Sequence, residues 1–366
     1  MPVPQSRHVE WGKRPKVDMV IGPSKMELNS TENLKPLAYL DHNILDFLIK
    51  YEGEPLRSDL INNYQVVFSD ENLNEIEKSS NMSRAFYTPL SLSTLCICND
   101  GNNAFLKDIS PTALFNELKN MPPLVREFEN SMNEIALKLN VGGEVADDIF
   151  EKSAKHFSTI MDDFKTQAEY YGVTELFGNE FFDRLKDQYL EQVKTAVEYY
   201  ERVVKEEGKY LGPIDFRGRF GTSALELNNI EPPGVVLKIW ELIKERNGLS
   251  EQNSSLTRVL GLDRDVFAPS KPVSLFGKAM NVYHFLNWIG YYGDSKLKKP
   301  KRFYSSMSDQ IHGAYGIFAK RIFTMDERFA RKLDAAYEFL KIKTEVVMVK
   351  TYTNGDLRCS DDWAVS

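Results

Sequence analysis

The sequence predicts an α/β fold: a parallel sheet flanked by helices and interrupted by a large all-helical insertion. Three observations carry this expectation. Short apolar runs alternate with helical patterns over residues 36–105, the same alternation returns near the C-terminus, and the stretch between them is helical in texture. Strands alternating with helices imply right-handed crossovers and a parallel sheet. The expected organisation is an arm or tail over residues 1–35, a split α/β domain over 36–105 and 291–350, a helical insertion over 106–290 and a tail over 351–366.

Each element follows from its residues. Residues 1–35 are polar and punctuated by Pro2, Pro4, Pro15 and Pro23, which suits a surface arm. Residues 37–40 form an apolar run closed by Asp41, and Ile44, Leu45, Leu48 and Ile49 follow with helical rhythm. Residues 64–68 repeat the strand, Ser69 stands as an N-cap, and Leu73 and Ile76 line one face of the next helix. Cys96 and Cys98 alternate along an apolar stretch that reads as a buried strand. Long amphipathic helices are expected over 145–171 and 180–207, where Phe157, Ile160, Phe182 and Tyr189 recur at helical spacing. The segment from Arg217 to Ser223 lacks the lysine and spacing of a phosphate loop and reads as a turn between helices. Further helices are expected over 235–246 and 279–290. Then follow a helix over 309–319, a strand over 321–323, a helix over 326–340 and a Val-rich strand over 344–349.

Composition narrows the function classes. Hydrophobic residues at 42% and aromatics at 12% exclude wholesale disorder. Three cysteines cannot form a disulfide framework and point to a reducing compartment. No run approaches the roughly 18–20 apolar residues of a membrane span, and the N-terminus has no apolar signal core. A cytoplasmic protein with no membrane partner is expected. The 46 Lys and Arg against 53 Asp and Glu give a net charge of −7, which disfavours non-specific duplex binding yet leaves room for a local basic track.

Sites in parallel sheets form at the carboxyl ends of the strands. Four acids fall at or near those ends: Asp41, Glu75, Asp309 and Asp326. Any one of them alone is more often a helix cap or a surface acid. Gathered together they could not all stay ionised without a counter-charge, and hard divalent cations ligated by oxygen supply one. Such a site suits phosphoryl transfer, because the metal orients a water, lowers its pKa and neutralises charge on the phosphate. Asn43 and Thr324 stand where they could contact a phosphate or cap a turn, and His312 lies one turn after Asp309 as a packed or supporting residue. The run Lys296, Lys298, Lys299, Lys301 and Arg302 precedes Asp309 and is a candidate nucleic-acid contact. Lys320, Arg321, Arg328 and Lys332 could extend it.

The segment from Tyr39 to Leu45 resembles the opening strand of PIN-domain nucleases, an aspartate followed two residues later by Asn or Ser. Val67 to Ile76 is similar to that family's second motif, a strand leading to a helix that presents glutamate. Ser308 to Tyr315 resembles its Asp-x-x-His/Ile-x-Ala helix, and Ile322 to Asp326 its hydrophobic-x-Thr-x-Asp turn. The likeness covers roughly residues 36–80 and 300–349, less than a third of the chain. It implies a PIN-like, Rossmann-type sheet in which Asp41, Glu75, Asp309 and Asp326 bind Mg²⁺ or Mn²⁺. The implied activity is metal-dependent hydrolysis of nucleic acid, RNA rather than DNA, leaving 5′-phosphate and 3′-hydroxyl ends. Large PIN-like proteins of bacteria include toxins and anti-phage effectors, and the insertion offers a surface for a regulatory protein partner. A homo-oligomer is compatible with the sequence. Two alternatives stand beside this reading: a non-catalytic helical interaction protein with a PIN-like core, and a structure-specific DNA nuclease.

Overall fold

Leu37–Leu40 is apolar at every position, and a computed structural model buries both faces of that strand. The structure describes residues 19–22, 25–26, 35–50, 54–78, 95–99, 104–142, 145–174, 178, 180–202, 212–249, 255–263, 272–351 and 357–359. Side chains alternate across a strand. Ala38 and Leu40 therefore meet Ile44, Leu45, Leu73 and Ile76 on one face, while Leu37 and Tyr39 meet Tyr315, Phe329 and Leu333 on the other. Helices cover both faces, and the continuous apolar run is what a doubly covered strand requires.

The described strands are β1 (Met19–Gly22), β2 (Lys25–Met26), β3 (Leu37–Leu40), β4 (Gln65–Phe68), β5 (Leu95–Asn99), β6 (Ala104–Asp108), β7 (Arg321–Thr324), β8 (Glu345–Thr351) and β9 (Leu357–Cys359). They stand in the order β2-β1-β6-β5-β4-β3-β7-β8-β9. The central run β5-β4-β3-β7-β8 is parallel throughout. Numbered among themselves, these five strands lie third, second, first, fourth, fifth, as in a Rossmann-like sheet. The order reverses between β3 and β7, the place beyond the carboxyl ends where open parallel sheets of this kind form their ligand crevice.

The long helices Pro123–Val141, Ile149–Tyr170 and Phe181–Tyr200 pack on one another through Phe128, Phe157, Ile160 and Phe182, and through Ile135, Phe150 and Val193. Leu137 and Val141 join this group to Phe303 and Trp288 beside the sheet. The helix Leu275–Ile289 belongs to the layer covering the sheet: its Tyr283 packs on Phe329, and Val282 and Leu286 share a cluster with Ala335 and Ala336. Among the described residues no helix is long and apolar enough to cross a membrane.

Several elements differ from the sequence expectation. Within the supposed arm, β1 pairs antiparallel with β6, so residues 19–22 extend the sheet edge. The four prolines of that arm lie outside the described residues. In the supposed tail, β9 pairs with β8. Pro213–Phe220 is a helix closed by Gly221 in the left-handed region, where a turn was expected. The helix Phe181–Tyr200 continues with a π-helical turn at residues 201–202, and residues 203–207 of the predicted helix lie outside the described residues. The helix expected from residue 309 begins nine residues earlier, as Pro300–Gly316, with Pro300 at its start where a missing N–H costs nothing.

That helix approaches its neighbours closely at Gly316, where a Cβ would lie 2.7 Å from Tyr337 Oη and 2.8 Å from Ile322 Cδ1. Tyr337 cannot yield, because its hydroxyl donates to the Gly313 carbonyl. Gly316→Ala should therefore destabilise the fold by about 1–3 kcal/mol, measured by chemical denaturation. Unchanged stability would show that the packing at this point is loose.

Candidate functional site

Asp41 leaves β3 at the reversal of strand order, and its backbone N–H donates to the Phe323 carbonyl of β7 at 3.0 Å. Its carboxylate is buried and fully engaged. Oδ1 accepts from the His42 N–H at 2.7 Å, and Oδ2 accepts from Asn43 Nδ2 and Thr324 Oγ1, each at 2.6 Å. Asn43 Oδ1 in turn accepts from the Met325 N–H at 3.0 Å, and Thr324 Oγ1 accepts from the Asp326 N–H at 3.0 Å. Asn43 and Thr324 thus tie the two halves of the split domain across the crevice. Burial raises the Asp41 pKa and Glu75 adds to it, against the lowering charge of His312 and the Thr324 hydrogen bond.

The helix Pro300–Gly316 supplies the opposite wall, against the helix Asp70–Lys78. Ser308 Oγ lies 2.5 Å from Glu71 Oε1 and 2.8 Å from Glu75 Oε1, so one hydroxyl stands between two carboxylates. Glu71 and Glu75 are four apart on one helix face and repel each other. His312, wholly buried, relieves this: its Nε2 lies 3.0 Å from Glu75 Oε2. Burial opposes a charged imidazole, but the hydrogen bond to Glu75 and that carboxylate's charge outweigh it and raise His312 to about 9. Burial likewise works against ionised Glu75, yet His312, with help from His42 and Ser308, brings it down to about 2.

A charged His312 fixes the direction of a buried chain. Nδ1 donates to Tyr39 Oη at 2.6 Å, Tyr39 donates to Ser69 Oγ at 2.7 Å, and Ser69 Oγ donates to Asn72 Oδ1 at 3.4 Å. Ser69 holds the N-cap position of its helix as expected, but its hydroxyl serves this chain. Asn72 accepts from the Ser69 N–H at 2.9 Å instead.

Asp309 lies on the same helix, one turn before His312. Burial raises its pKa well above the ordinary carboxylate range; the charges of Asp41, Asp294 and Glu75 push further in that direction, and Lys332 opposes them. Lys332 is itself wholly buried. Its Nζ donates to Asp294 Oδ1 at 2.9 Å and Asn287 Oδ1 at 3.1 Å and stands 4.7 Å over the Tyr283 ring. Ser306 Oγ donates to Asp294 Oδ2 at 2.7 Å and accepts from Asn287 Nδ2 at 2.8 Å, closing the network.

The structure thus brings Asp41, Glu75 and Asp309 into one electrostatic neighbourhood across 234 positions of sequence (309 − 75). Asp326 joins less fully. It is exposed, and its Oδ1 caps the following helix, accepting from the Arg328 N–H at 2.8 Å and the Phe329 N–H at 3.0 Å. The basic track is redistributed. Lys301 and Arg302 sit in the first turn of Pro300–Gly316, so about 11 Å of helix separates the end of the run from Asp309. Lys320 and Arg321 precede or begin β7, pair with Glu345 and lie at the amino end of the sheet, away from the crevice. Buried Lys332 cannot meet a solvent-borne strand. His42, Asp294 and Asn287 escaped the sequence reading. His42 Nδ1 lies 3.3 Å from Glu75 Oε2, and its place directly after Asp41 was the available signal.

Among the described residues, no group of three His, Cys, Asp or Glu side chains is arranged to hold a metal ion. The donor set fits a hard cation in part. Burial raises the pKa of both Asp41 and Asp309, and the charge of Asp41 raises Asp309 further, a strain that a divalent cation would relieve. Glu75 already has its counter-charge in His312. No protein-family model matches the chain, and neither a curated protein nor a solved structure matches it.

The Glu75–His312 pair sets a pH window. Lowered Glu75 contributes stability that is complete above about pH 4.5 and lost as pH falls toward 2. Raised His312 contributes stability that is complete below about pH 6.5 and lost as pH rises through about 9. In metal-free protein, the His312 imidazole should titrate near 9 by NMR. Glu75→Gln should lower that midpoint by more than about one unit and cost about 3–5 kcal/mol at pH 6. A midpoint unmoved by Glu75→Gln would remove Glu75 as the partner that holds the proton.

Proposed function

We propose that the protein is a metal-dependent nuclease of the PIN-like kind, an endoribonuclease that hydrolyses phosphodiester bonds to 5′-phosphate and 3′-hydroxyl ends. The observation that carries this reading is the buried carboxylate of Asp41 at the strand-order reversal of a Rossmann-like sheet, close enough to Asp309 for its charge to help raise the Asp309 pKa. Asp41 and Asp309 would hold Mg²⁺ or Mn²⁺, with the exposed carboxylate of Asp326 at the mouth. A divalent cation there supplies Lewis acidity and a water of lowered pKa.

The chain's own residues do the rest. Asn43 and Thr324 fix the Asp41 carboxylate, so that it does not reorganise when charge arrives. His312 keeps a proton on each ring nitrogen and holds Glu75 beside the centre as a fixed anion. Lys332 offsets part of the charge around Asp309 through Asp294. Asp41→Asn is a poor isostere here, because an amide would set a donor against those of Asn43 and Thr324. Asp309→Asn instead relieves repulsion. A toxin or antiviral role, with a regulatory partner on the helical insertion, extends the same proposal.

One observation favours a non-catalytic scaffold as the second reading: the two Asp41 oxygens already accept three hydrogen bonds. Labelled single-stranded RNA and DNA incubated with Mg²⁺, Mn²⁺ or EDTA separate the readings. Cleavage of RNA with metal and none in EDTA is expected. Asp309→Asn should slow it at least about 100-fold while melting at the same or a higher temperature. Intact RNA and DNA in both metals would leave the scaffold.

A further inference from the structure

The loop after the helix Leu275–Ile289 and the helix Pro213–Phe220 enclose a cavity of about 750 Å³. Its charge is unlike that of the chain as a whole. Arg217, Lys296, Lys298, Lys299 and Arg328 line it, against two carboxylates, Asp215 and Asp294. Of the two carboxylates, Asp294 is bound to Lys332 and Ser306. In a protein of net charge −7, such a concentration makes a local well for an anion.

The cavity is built for a ligand of defined size. Arg217 lies half-buried across Gly290, where a Cβ would come within 2.7 Å of its Nη1, and Gly290 takes a φ of +95°. A glycine is needed there on both counts. Tyr292, its φ at +46°, is half-buried and lines the same space; Arg331 lies 5.6 Å from its ring centroid and its hydroxyl donates to the Asn228 carbonyl at 3.5 Å. The volume falls in the range of about 300–1,000 Å³ that holds small organic ligands, and cations with an aromatic platform are the chemistry of a nucleotide.

We propose that this cavity binds single-stranded nucleic acid by one phosphate-bearing nucleotide, its phosphate on Arg217, Lys296 and Lys299 and its base against Tyr292. Its position gives the strand a route to the acidic crevice. Arg328 stands two residues beyond Asp326, and Asp294 shares Lys332 with the surroundings of Asp309. That route, unlike the binding itself, rests on the nuclease reading.

The test is fluorescence anisotropy of a labelled single-stranded RNA in EDTA, over a range of salt, with the full chain. Lys296→Glu with Lys299→Glu changes two exposed residues and should weaken binding at least tenfold, with a salt slope flattened by about one. Arg217→Gln should weaken binding in the same direction. Lys155→Glu with Lys194→Glu, a charge reversal at two exposed positions on the insertion helices, should leave affinity within about twofold. Equal affinity and slope in the lysine double variant, or a wild-type protein that does not bind the strand, overturns the proposal. Binding lost in that variant while wild type cleaves nothing in Mn²⁺ upholds the cavity and defeats the nuclease reading instead.

Discussion

Carboxylates outnumbering the cations that face them are the constraint around which this site is organised. Asp41, Glu71, Glu75, Asp294 and Asp309 crowd together beyond the ends of β3 and β7, and the buried cations among them are His312 and Lys332. Each cation is matched to one carboxylate by a short hydrogen bond, Glu75 for His312 and Asp294 for Lys332. Asp41 is left raised by burial and by Glu75, and its charge in turn raises Asp309. In the proposed function these are the two groups whose charge a bound cation would neutralise.

The fold meets that constraint by joining distant segments. The same helix that presents Asp309 also carries Ser308 and His312, and Gly313 and Gly316 let it lie directly on the neighbouring helix and strand. Thr324 and Asn43 reach across from β7 and β3 to one carboxylate. Positioning is therefore shared between hydrogen bonds, which fix orientation, and close helix packing, which fixes distance. The Lys332 network extends the arrangement toward the cationic cavity, so charge of both signs meets along one edge of the crevice.

Much of this was legible in the sequence where one element decides the outcome. Leu37–Leu40, Gln65–Phe68, Arg321–Thr324 and Glu345–Thr351 read as strands because uninterrupted apolar runs have few other uses. Asp41 was singled out at a strand end, Glu75 a turn or two into the next helix and Asp309 at an expected helix start, which the structure places inside Pro300–Gly316 instead. The Asp326 cap was equally local, yet it competes with a ligand role that the sequence cannot rank. What escaped depends on long-range partners. His42 and His312 converge on Glu75 from opposite ends of the chain, and Lys332 is buried only because Asp294 and Asn287 close over it. The start of the helix at Pro300 was obscured by its lysines, which suit a loop and a first helical turn alike. The edge strands β1 and β9 are short and take their conformation from the strands they pair with.

If the crevice holds a cation, its raised carboxylates must give up protons to do so. Isothermal titration calorimetry with Mn²⁺, run near pH 6 in two buffers of different ionisation enthalpy, reads that directly. The expected result is saturable binding with net proton release that grows as the pH is lowered and shrinks in Asp309→Asn. Saturable binding without proton release, or no binding heat in either buffer, would contradict the central claim that a divalent cation relieves the repulsion between Asp41 and Asp309.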